Sequence, residues 1–199
     1  MPGLILVVEG IGDRRALPAL VTRLLHDAGH ADWYVRERQT KEVGQIGALR
    51  KHLNNQIEYL RTEAPGGVLI LLDLDDECPA TVARELAAHI STAGLPFPVA
   101  VVFAKCEFEA WLIASIETVS ADDPRFPNGL TFDGDPDGLR GAGEWVEAHT
   151  TPTYTKSTDQ KPFAARIDLE TARARSRSFR RLCHALDELA TGMPGQVTP

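Results

Sequence analysis

Acidic residues directly follow two short apolar segments of this 199-residue chain. Glu9 comes after residues 4–8, and the acidic segment 73–76 comes after residues 68–72. Segments that are apolar at every position are typical of strands buried in the middle of a parallel sheet. Open α/β sheets bind ligands outside the carboxyl ends of such strands. The pattern therefore predicts a group of carboxylates at a ligand site.

Carboxylates of this kind indicate a hard divalent cation. They repel one another unless a cation lies between them, and oxygen ligands suit Mg²⁺ or Mn²⁺. Asp73 and Asp75 face the same side of an extended segment, whereas Asp76 points away or caps the next helix. Glu9 completes the site if its strand is a neighbour. Two metal ions held there would clamp a phosphodiester for attack by water, so we predict that Glu9, Asp73 and Asp75 are catalytic.

A structural explanation of the same acids stays open. Asp75 and Asp76 could cap the helix that Pro79 begins, and Glu9 could pair with Arg14. We favour the metal interpretation because both strand ends carry acids.

Four other residues are candidates for the same site. Asp13 has two equally supported interpretations. It could be a ligand for a second metal ion, or it could cap the first helix. Glu107 and Glu109 cannot share one helical face, so we expect one at the site and the other facing solvent or an arginine. Lys105, at a strand end, is a candidate phosphate ligand, although a lone lysine is more often simply solvated.

Strands and helices alternate over the first part of the chain, which predicts a doubly wound, mainly parallel α/β sheet. The predicted strands are residues 4–8, 32–39, 68–72 and 97–104. The predicted helices are residues 16–28, 43–62, 79–94 and a segment around 108–116. We divide the chain into an α/β core at 1–119 and a loop and basic helical extension at 120–199, packed together as one compact domain. Frayed residues are expected from Gly192 onwards.

Cations begin the last predicted helix. If Ser176 caps this helix, Arg177, Arg180 and Arg181 lie in its first turns, where the helix dipole disfavours positive charge. A helix start surrounded by arginines is instead a good anion site. We predict that these arginines, with Lys161, bind substrate phosphates near the carboxylates. The alternative that they pair with acids of the core stays open.

Composition and motifs exclude several classes of protein. A net charge of −7 argues against coating nucleic acid by bulk attraction, but it permits a local basic groove. The three cysteines form no CxxC pair, which disfavours zinc and disulfides and fits a cytoplasmic protein. No segment is long and apolar enough for a membrane span, and no P-loop motif is present. Residues 133–144 match the calcium-loop pattern, but Pro136 and Arg140 disfavour it.

Two sets of segments carry a resemblance to known families. Residues 8–13, followed by Leu17-Pro18 and later by Asp73-Leu74-Asp75, resemble the Toprim domain of topoisomerases, primases and the overcoming-lysogenization-defect nucleases. Further segments are similar to a bacterial family of unknown function, DUF4276, which has a Toprim-like core and is often encoded beside ATPases. These segments are residues 73–79, 107–111, 159–160 and 178–181.

The resemblance implies a Toprim-like, Rossmann-like fold and Mg²⁺- or Mn²⁺-dependent chemistry on DNA or RNA. It implies Glu9, Asp73 and Asp75 as metal ligands, with Asp13 and Asp76 as further candidates. It also implies a cytoplasmic bacterial protein with an AAA-type ATPase partner and a role in phage defence. Two other functions stay open: a non-catalytic metal- or nucleotide-binding module that serves the ATPase, and a small-nucleotide phosphatase.

Overall fold

Six parallel strands with helices on both faces form the fold of residues 1–199 in the computed structural model. This confirms the predicted doubly wound, Rossmann-like α/β fold. The strands are β1 (Gly3–Val8), β2 (Tyr34–Val35), β3 (Lys41–Glu42), β4 (Gly67–Leu74), β5 (Val99–Lys105) and β6 (Val197–Thr198). The helices are α1 (Ile11–Asp27), α2 (Ile46–Glu63), α3 (Pro79–Ser91), α4 (Glu109–Ala114), α5 (Ile116–Ser120), α6 (Ala142–Ala148), α7 (Lys156–Ala164), α8 (Leu169–Arg175) and α9 (Arg177–Thr191).

The order of strands reverses beside β1. Both β2 and β3 pair with one edge of β1, and β4 pairs with its other edge, followed by β5 and β6. The first crossover therefore runs in one direction across the sheet, and the second runs in the other. The switch point between β1 and β4 is the position where open α/β sheets form ligand crevices.

Alternate residues of the strands pack into two separate cores. Leu4, Leu6 and Val8 of β1 face a core shared with α1, α4 and α9, whereas Ile5 and Val7 face α2 and α3. The segment 120–199 supplies a large part of the first core. Its buried residues there include Phe126, Phe163, Ile167, Phe179, Leu182 and Leu186. This segment therefore covers one face of the sheet.

Two edge elements differ from the sequence predictions. The predicted strand 32–39 is wrong beyond Val35, because residues 37–39 turn into a 3₁₀ helix before the short strand β3. The predicted fraying after Gly192 is also wrong, because β6 pairs with the exposed edge of β5. Backbone groups at that edge need partners, and the C-terminal residues supply them.

Local signals place two helix ends. The predicted cap at Ser176 is confirmed, because its Oγ accepts a hydrogen bond from the Phe179 N–H at 3.0 Å. The predicted helix around 108–116 divides into α4 and α5 at Ser115, whose backbone leaves the helical conformation. None of the helices combines the length and the apolar character that a membrane crossing requires.

Candidate functional site

The carboxyl ends of β1 and β4 lie side by side, since Val8 pairs with Leu71 in the sheet. Glu9 follows β1 directly, Asp73 is the next-to-last residue of β4, and Asp75 follows that strand. These three acids line one open cleft of about 440 Å³, here called the carboxylate cleft. It lies at the switch point of the sheet, where the fold is expected to bind ligands.

Asp73 is half-buried and fixed by the backbone. Its Oδ1 accepts a hydrogen bond of 2.9 Å from the N–H of the residue before α4. Burial raises the pKa of Asp73 well above its ordinary value, and the charges of Asp13, Glu109 and Glu9 raise it further, while Lys156 opposes the shift. The negative charge of Asp73 is therefore costly in the absence of a bound cation.

Glu9 has a similar environment. Burial raises the pKa of Glu9, as does the charge of Asp13, while a hydrogen bond from the Asp73 backbone opposes the shift. The alternative that Glu9 pairs with Arg14 is wrong, since Arg14 lies 3.1 Å from Glu42 instead. No arginine neutralises Glu9, so its carboxylate stays available to the cleft.

Asp13 caps α1 and also acts on the cleft. Its Oδ2 accepts a hydrogen bond of 3.2 Å from the Gly10 N–H, which satisfies a free donor at the helix start. Its Oδ1 accepts a bond of 2.9 Å from Gln160 Nε2, which reaches over from α7. Burial raises the pKa of Asp13, and both hydrogen bonds oppose the shift. Asp13 does not line the cleft, yet its charge raises the pKa of Asp73 more than any other charge.

The cation among these acids is Lys156, the first residue of α7, which sequence reasoning missed. Its Nζ lies 3.2 Å from Glu107 Oε2 and 3.1 Å from Glu109 Oε2. Burial alone would lower the pKa of Lys156, but the charges of Glu109, Asp73 and Glu107 raise it overall. Lys156 is therefore firmly protonated and supplies positive charge to the surrounding carboxylates. A signal existed: a lysine at the first position of a helix opposes the helix dipole.

The prediction that one of Glu107 and Glu109 lies at the site is confirmed, because Glu107 lines the carboxylate cleft and Glu109 does not. The prediction that the other faces solvent or an arginine is wrong, because Glu109 is buried against Lys156. Helix α4 begins at Glu109, and Glu107 lies before it, next to Cys106, whose φ is +61°. Helical spacing therefore does not apply, and both carboxylates reach Lys156. Glu109 is fully buried, and its Oε1 also accepts a hydrogen bond of 2.7 Å from the Tyr154 hydroxyl.

Asp76 lines the carboxylate cleft, whereas Lys105 lies beside it. Asp76 pairs with Arg140 at 2.9 Å, and both side chains are largely exposed. Neither Asp75 nor Asp76 caps α3, whose N-cap residue is Cys78, so the capping alternative is wrong. Lys105 donates a hydrogen bond of 2.8 Å to the backbone carbonyl of Asp75. It lines a neighbouring cleft rather than the carboxylate cleft.

The predicted phosphate-binding cations lie outside the carboxylate cleft. Arg177 pairs with Asp135 at 3.2 Å, and Arg181 pairs with a glutamate of its own helix at 3.0 Å. Arg180 donates hydrogen bonds to two backbone carbonyls at the end of α8. Lys161 is exposed on α7. Arg177 and Arg181 line the same neighbouring cleft as Lys105, whereas Arg180 does not.

Two acids of the calcium-like loop form hydrogen bonds within the protein itself. Asp135 Oδ1 accepts a hydrogen bond of 3.0 Å from the Asp137 N–H. The buried carboxylate of Asp137 accepts hydrogen bonds from the hydroxyls of Ser176 and Ser178, at 2.7 and 2.9 Å. These contacts attach the loop to the start of α9.

The chemistry of the carboxylate cleft fits a hard divalent cation. Its candidate ligands Glu9, Asp73 and Asp75 offer only oxygen atoms. Burial raises the pKa of Glu9 and of Asp73, and repulsion by the charges of neighbouring acids raises both further. A bound cation would relieve that repulsion. As the side chains stand, no group of three or more His, Cys, Asp or Glu residues is arranged to hold a metal ion. The side chains would have to draw together around an ion that binds there.

The fold and the cleft define a Rossmann-like α/β protein with an acidic site at its switch point. The chain belongs to the DUF4276 family, a domain of unknown function, whose sequence model matches residues 8–187. The matched range contains every acid of the cleft as well as Lys156 and Gln160. No curated protein and no solved structure matches the chain.

Proposed function

We propose that this protein is a Mg²⁺- or Mn²⁺-dependent nuclease or a related phosphoryl-transfer enzyme. The observation that carries the proposal is the position of Glu9, Asp73 and Asp75 along one open cleft at the switch point. Acids with raised pKa values in a cleft are typical of functional sites, because stability alone would favour neutral residues or paired charges there. The resemblance to Toprim nucleases supports the same chemistry.

Each residue of the cleft has a role in this proposal. Glu9, Asp73 and Asp75 would hold the metal, with Asp13 behind them. The bound metal would supply an activated water and neutralise the charge that develops on the phosphate. Glu9 either helps to hold the metal or, if the other acids hold it, accepts a proton from the attacking water.

Lys156 has a second role in the proposal. Glu107 and Glu109 hold its ammonium group at the border of the carboxylates, where it can donate a hydrogen bond to a phosphate oxygen. The lysine side chain is 48% exposed, so a substrate can reach it.

The proposed substrate is DNA or RNA, and the proposed setting is the bacterial cytoplasm. The net charge of −7 gives little bulk attraction to nucleic acid, which supports a partner that helps to hold the substrate. The resemblance points to an AAA-type ATPase in this role and to phage defence as the context. The three free cysteines, one of them exposed, fit a reducing compartment.

A non-catalytic module is the second candidate. The ion pairs of Lys156 with Glu107 and Glu109 favour it, because they supply positive charge to the acids without any metal. In that case the cleft would bind a nucleotide or a single ion for the ATPase partner. A small-nucleotide phosphatase would use the same residues on a smaller substrate.

Cleavage assays with matched variants test the proposal. Purified protein should cut labelled DNA or RNA in the presence of Mn²⁺ or Mg²⁺, alone or after addition of the ATPase. Asp73→Asn keeps the shape of the side chain but weakens binding of a hard cation, so cleavage should fall by about two orders of magnitude or more. The control Asp133→Asn, an exposed acid of the loop, should cut like the wild type. Equal cleavage by Asp73→Asn and wild type would overturn the proposal.

Binding of Mn²⁺ separates the nuclease from the module. Crystals soaked in Mn²⁺ should show two ions about 4 Å apart in the carboxylate cleft if the protein is a two-metal nuclease. One ion or none would favour the module. Titration calorimetry should detect the same ions in solution, and the heat should disappear in Asp73→Asn.

A further inference from the structure

A second cleft lies beside the carboxylate cleft, between α3 and α9. It has a volume of about 750 Å³, which is within the range of ligand pockets. Its walls are mainly apolar, and its rim carries Arg84, Lys105, Arg177 and Arg181. We call it the basic cleft. None of the functions derived above uses it.

The edge of strand β5 forms the floor of the basic cleft. Val101, Val102 and Phe103 all line it, although successive side chains of a strand point to opposite faces. Because their side chains alternate between the two faces of the sheet, consecutive residues can line the same cleft only where that cleft runs along the edge of the strand. The partner strand β6 pairs with Val99 and Ala100 alone, so the nearly fully buried residues beyond them have no strand partner on this side.

The charge of the rim is concentrated and partly free. Arg84 and Lys105 form no ion pair with a carboxylate, in a chain whose net charge is −7. The N-terminus of α3 also opens here, through Pro79 and Ala80. A thiol at this helix start responds to the same field: backbone hydrogen bonds from Thr81 lower the pKa of Cys78. The rim therefore favours a ligand with negative charge.

The basic cleft and the carboxylate cleft are joined through Lys105. Its Nζ bonds to the backbone carbonyl of Asp75 at 2.8 Å, while its side chain lines the basic cleft. A polyanion bound at the rim of the basic cleft would therefore extend to the acids of the carboxylate cleft. A free small anion would gain nothing from this continuity, whereas a nucleic-acid strand would.

We propose that the basic cleft binds one unpaired nucleotide of a single-stranded nucleic acid whose adjacent phosphate enters the carboxylate cleft. The base packs on the apolar walls. The phosphates lie against Arg84 and Lys105, since Arg181 already bonds to Glu188 and to the C-terminal Pro199. A base within a duplex is stacked and paired and cannot enter such a cleft, so the site selects single strands. The inference rests on the proposed function only in naming the ligand as its substrate.

Binding without catalysis tests this inference. Fluorescence anisotropy would follow a short labelled strand, as DNA and as RNA, and the same sequence as a blunt duplex, all in chelator. The wild type should bind one of the strands about tenfold or more tightly than the duplex. Arg84→Glu should weaken strand binding roughly tenfold and lower the log–log salt slope by about 0.7 for each lost phosphate contact.

Matched variants distinguish binding in the basic cleft from a general effect of net charge on binding. Arg38→Glu changes the net charge equally at an exposed position beside β2, at the other edge of the sheet, and should bind nearly like the wild type. Ala80→Trp should fill the mouth of the cleft and weaken binding, whereas Ala88→Trp makes the same change at an exposed position of α3 outside it. Thermal melting of all four variants would establish that they fold.

The outcomes distinguish this inference from the proposed function. Equal effects of Arg84→Glu and Arg38→Glu, wild-type binding by Ala80→Trp, equal affinity for strand and duplex, or no strand binding at all would overturn the basic cleft as the binding site. Strand binding that depends on the cleft, in a protein that never cuts with Mn²⁺, would support the cleft and refute the nuclease.

Discussion

Asp73 is half-buried and Asp123 is almost fully buried, and their surroundings shift their pKa values in opposite directions. The Asp123 side chain is 4% exposed and lies 2.9 Å from Arg125 and 2.6 Å from Arg166. Hydrogen bonds from Arg125 hold the pKa of Asp123 far below its ordinary value, despite burial. Asp73 has acids as neighbours, and burial and their charges raise its pKa.

The difference separates a structural acid from a functional candidate. Arg125 also bonds to Asp159 at 2.9 Å, so the Asp123 group ties the long loop to α7 and is complete within the chain. The carboxylate cleft has Lys156 as its cation and remains short of positive charge. A cluster that folding leaves incomplete is stabilised by a ligand, because binding to the native state alone shifts the folding equilibrium.

The largest stability effect should come from the structural acid. Asp123→Ala removes the partner of two partly buried arginines, and the free energy of unfolding should fall by about 2–3 kcal/mol. Urea denaturation would measure the change, with the exposed Asp133→Ala as control. A loss as small as that of the control would mean that the Asp123 group contributes no net stability.

Removal of the Lys156 cation from the carboxylate cleft should lower the free energy of unfolding less than Asp123→Ala does. Lys156→Met leaves the buried Glu109 without its charge partner, but the lysine is half-exposed, so the expected loss is about 1–2 kcal/mol. Millimolar Mn²⁺ should recover more stability in this variant than in the wild type, because the ion replaces the lost charge. Thermal melting with chelator and with Mn²⁺ tests this, and the same loss under both conditions would contradict it.

Asp73→Asn should change stability in the opposite direction from Asp123→Ala. Without a metal, the substitution removes a disfavoured charge and keeps an oxygen that can accept the backbone hydrogen bond, so stability should rise by about 1 kcal/mol. With Mn²⁺ present, the wild type should regain the advantage. A destabilised Asp73→Asn protein in chelator would show that Asp73 is a structural acid like Asp123.

The pH dependence should show the smallest effect. A carboxyl group with a raised pKa costs stability above its folded pKa, and the cost disappears as pH falls towards the ordinary carboxyl range. In chelator, wild type should therefore gain stability relative to Asp73→Asn between pH 7 and about pH 5. Asp123 contributes little in this window, because its lowered pKa keeps it ionised. The difference in melting temperature between the two proteins cancels the titration of groups that do not interact with Asp73, and it keeps that of Asp73 with its acidic neighbours Asp13, Glu109 and Glu9. A difference independent of pH would contradict the raised pKa of Asp73.

The sequence was sufficient for the parts of the site that follow from local pattern. Glu9, Asp73 and Asp75 were predicted together because unbroken apolar segments mark buried parallel strands, and their carboxyl ends meet at one edge. The cap at Ser176 was predicted for a similar reason, since the side chain acts on its own helix.

The remaining parts depend on contacts between distant segments. Lys156 reaches the cleft and Gln160 reaches Asp13 from α7 because this helix packs along α1, and no local pattern encodes that contact. The strand β6 is two residues long and carries too little pattern to predict. The strand at 32–39 failed because a propensity for extended structure does not ensure a partner along its whole length.

The position of α7 has a consequence for the synthesis of the protein. All the carboxylates of the cleft precede residue 110, whereas its cation and the amide that fixes Asp13 come from residues 156 and 160. A nascent chain on the ribosome therefore exposes the acids well before the groups that balance them. The site can be completed only after most of the polypeptide has emerged, so neither an interrupted translation product nor an N-terminal degradation fragment would carry a finished site.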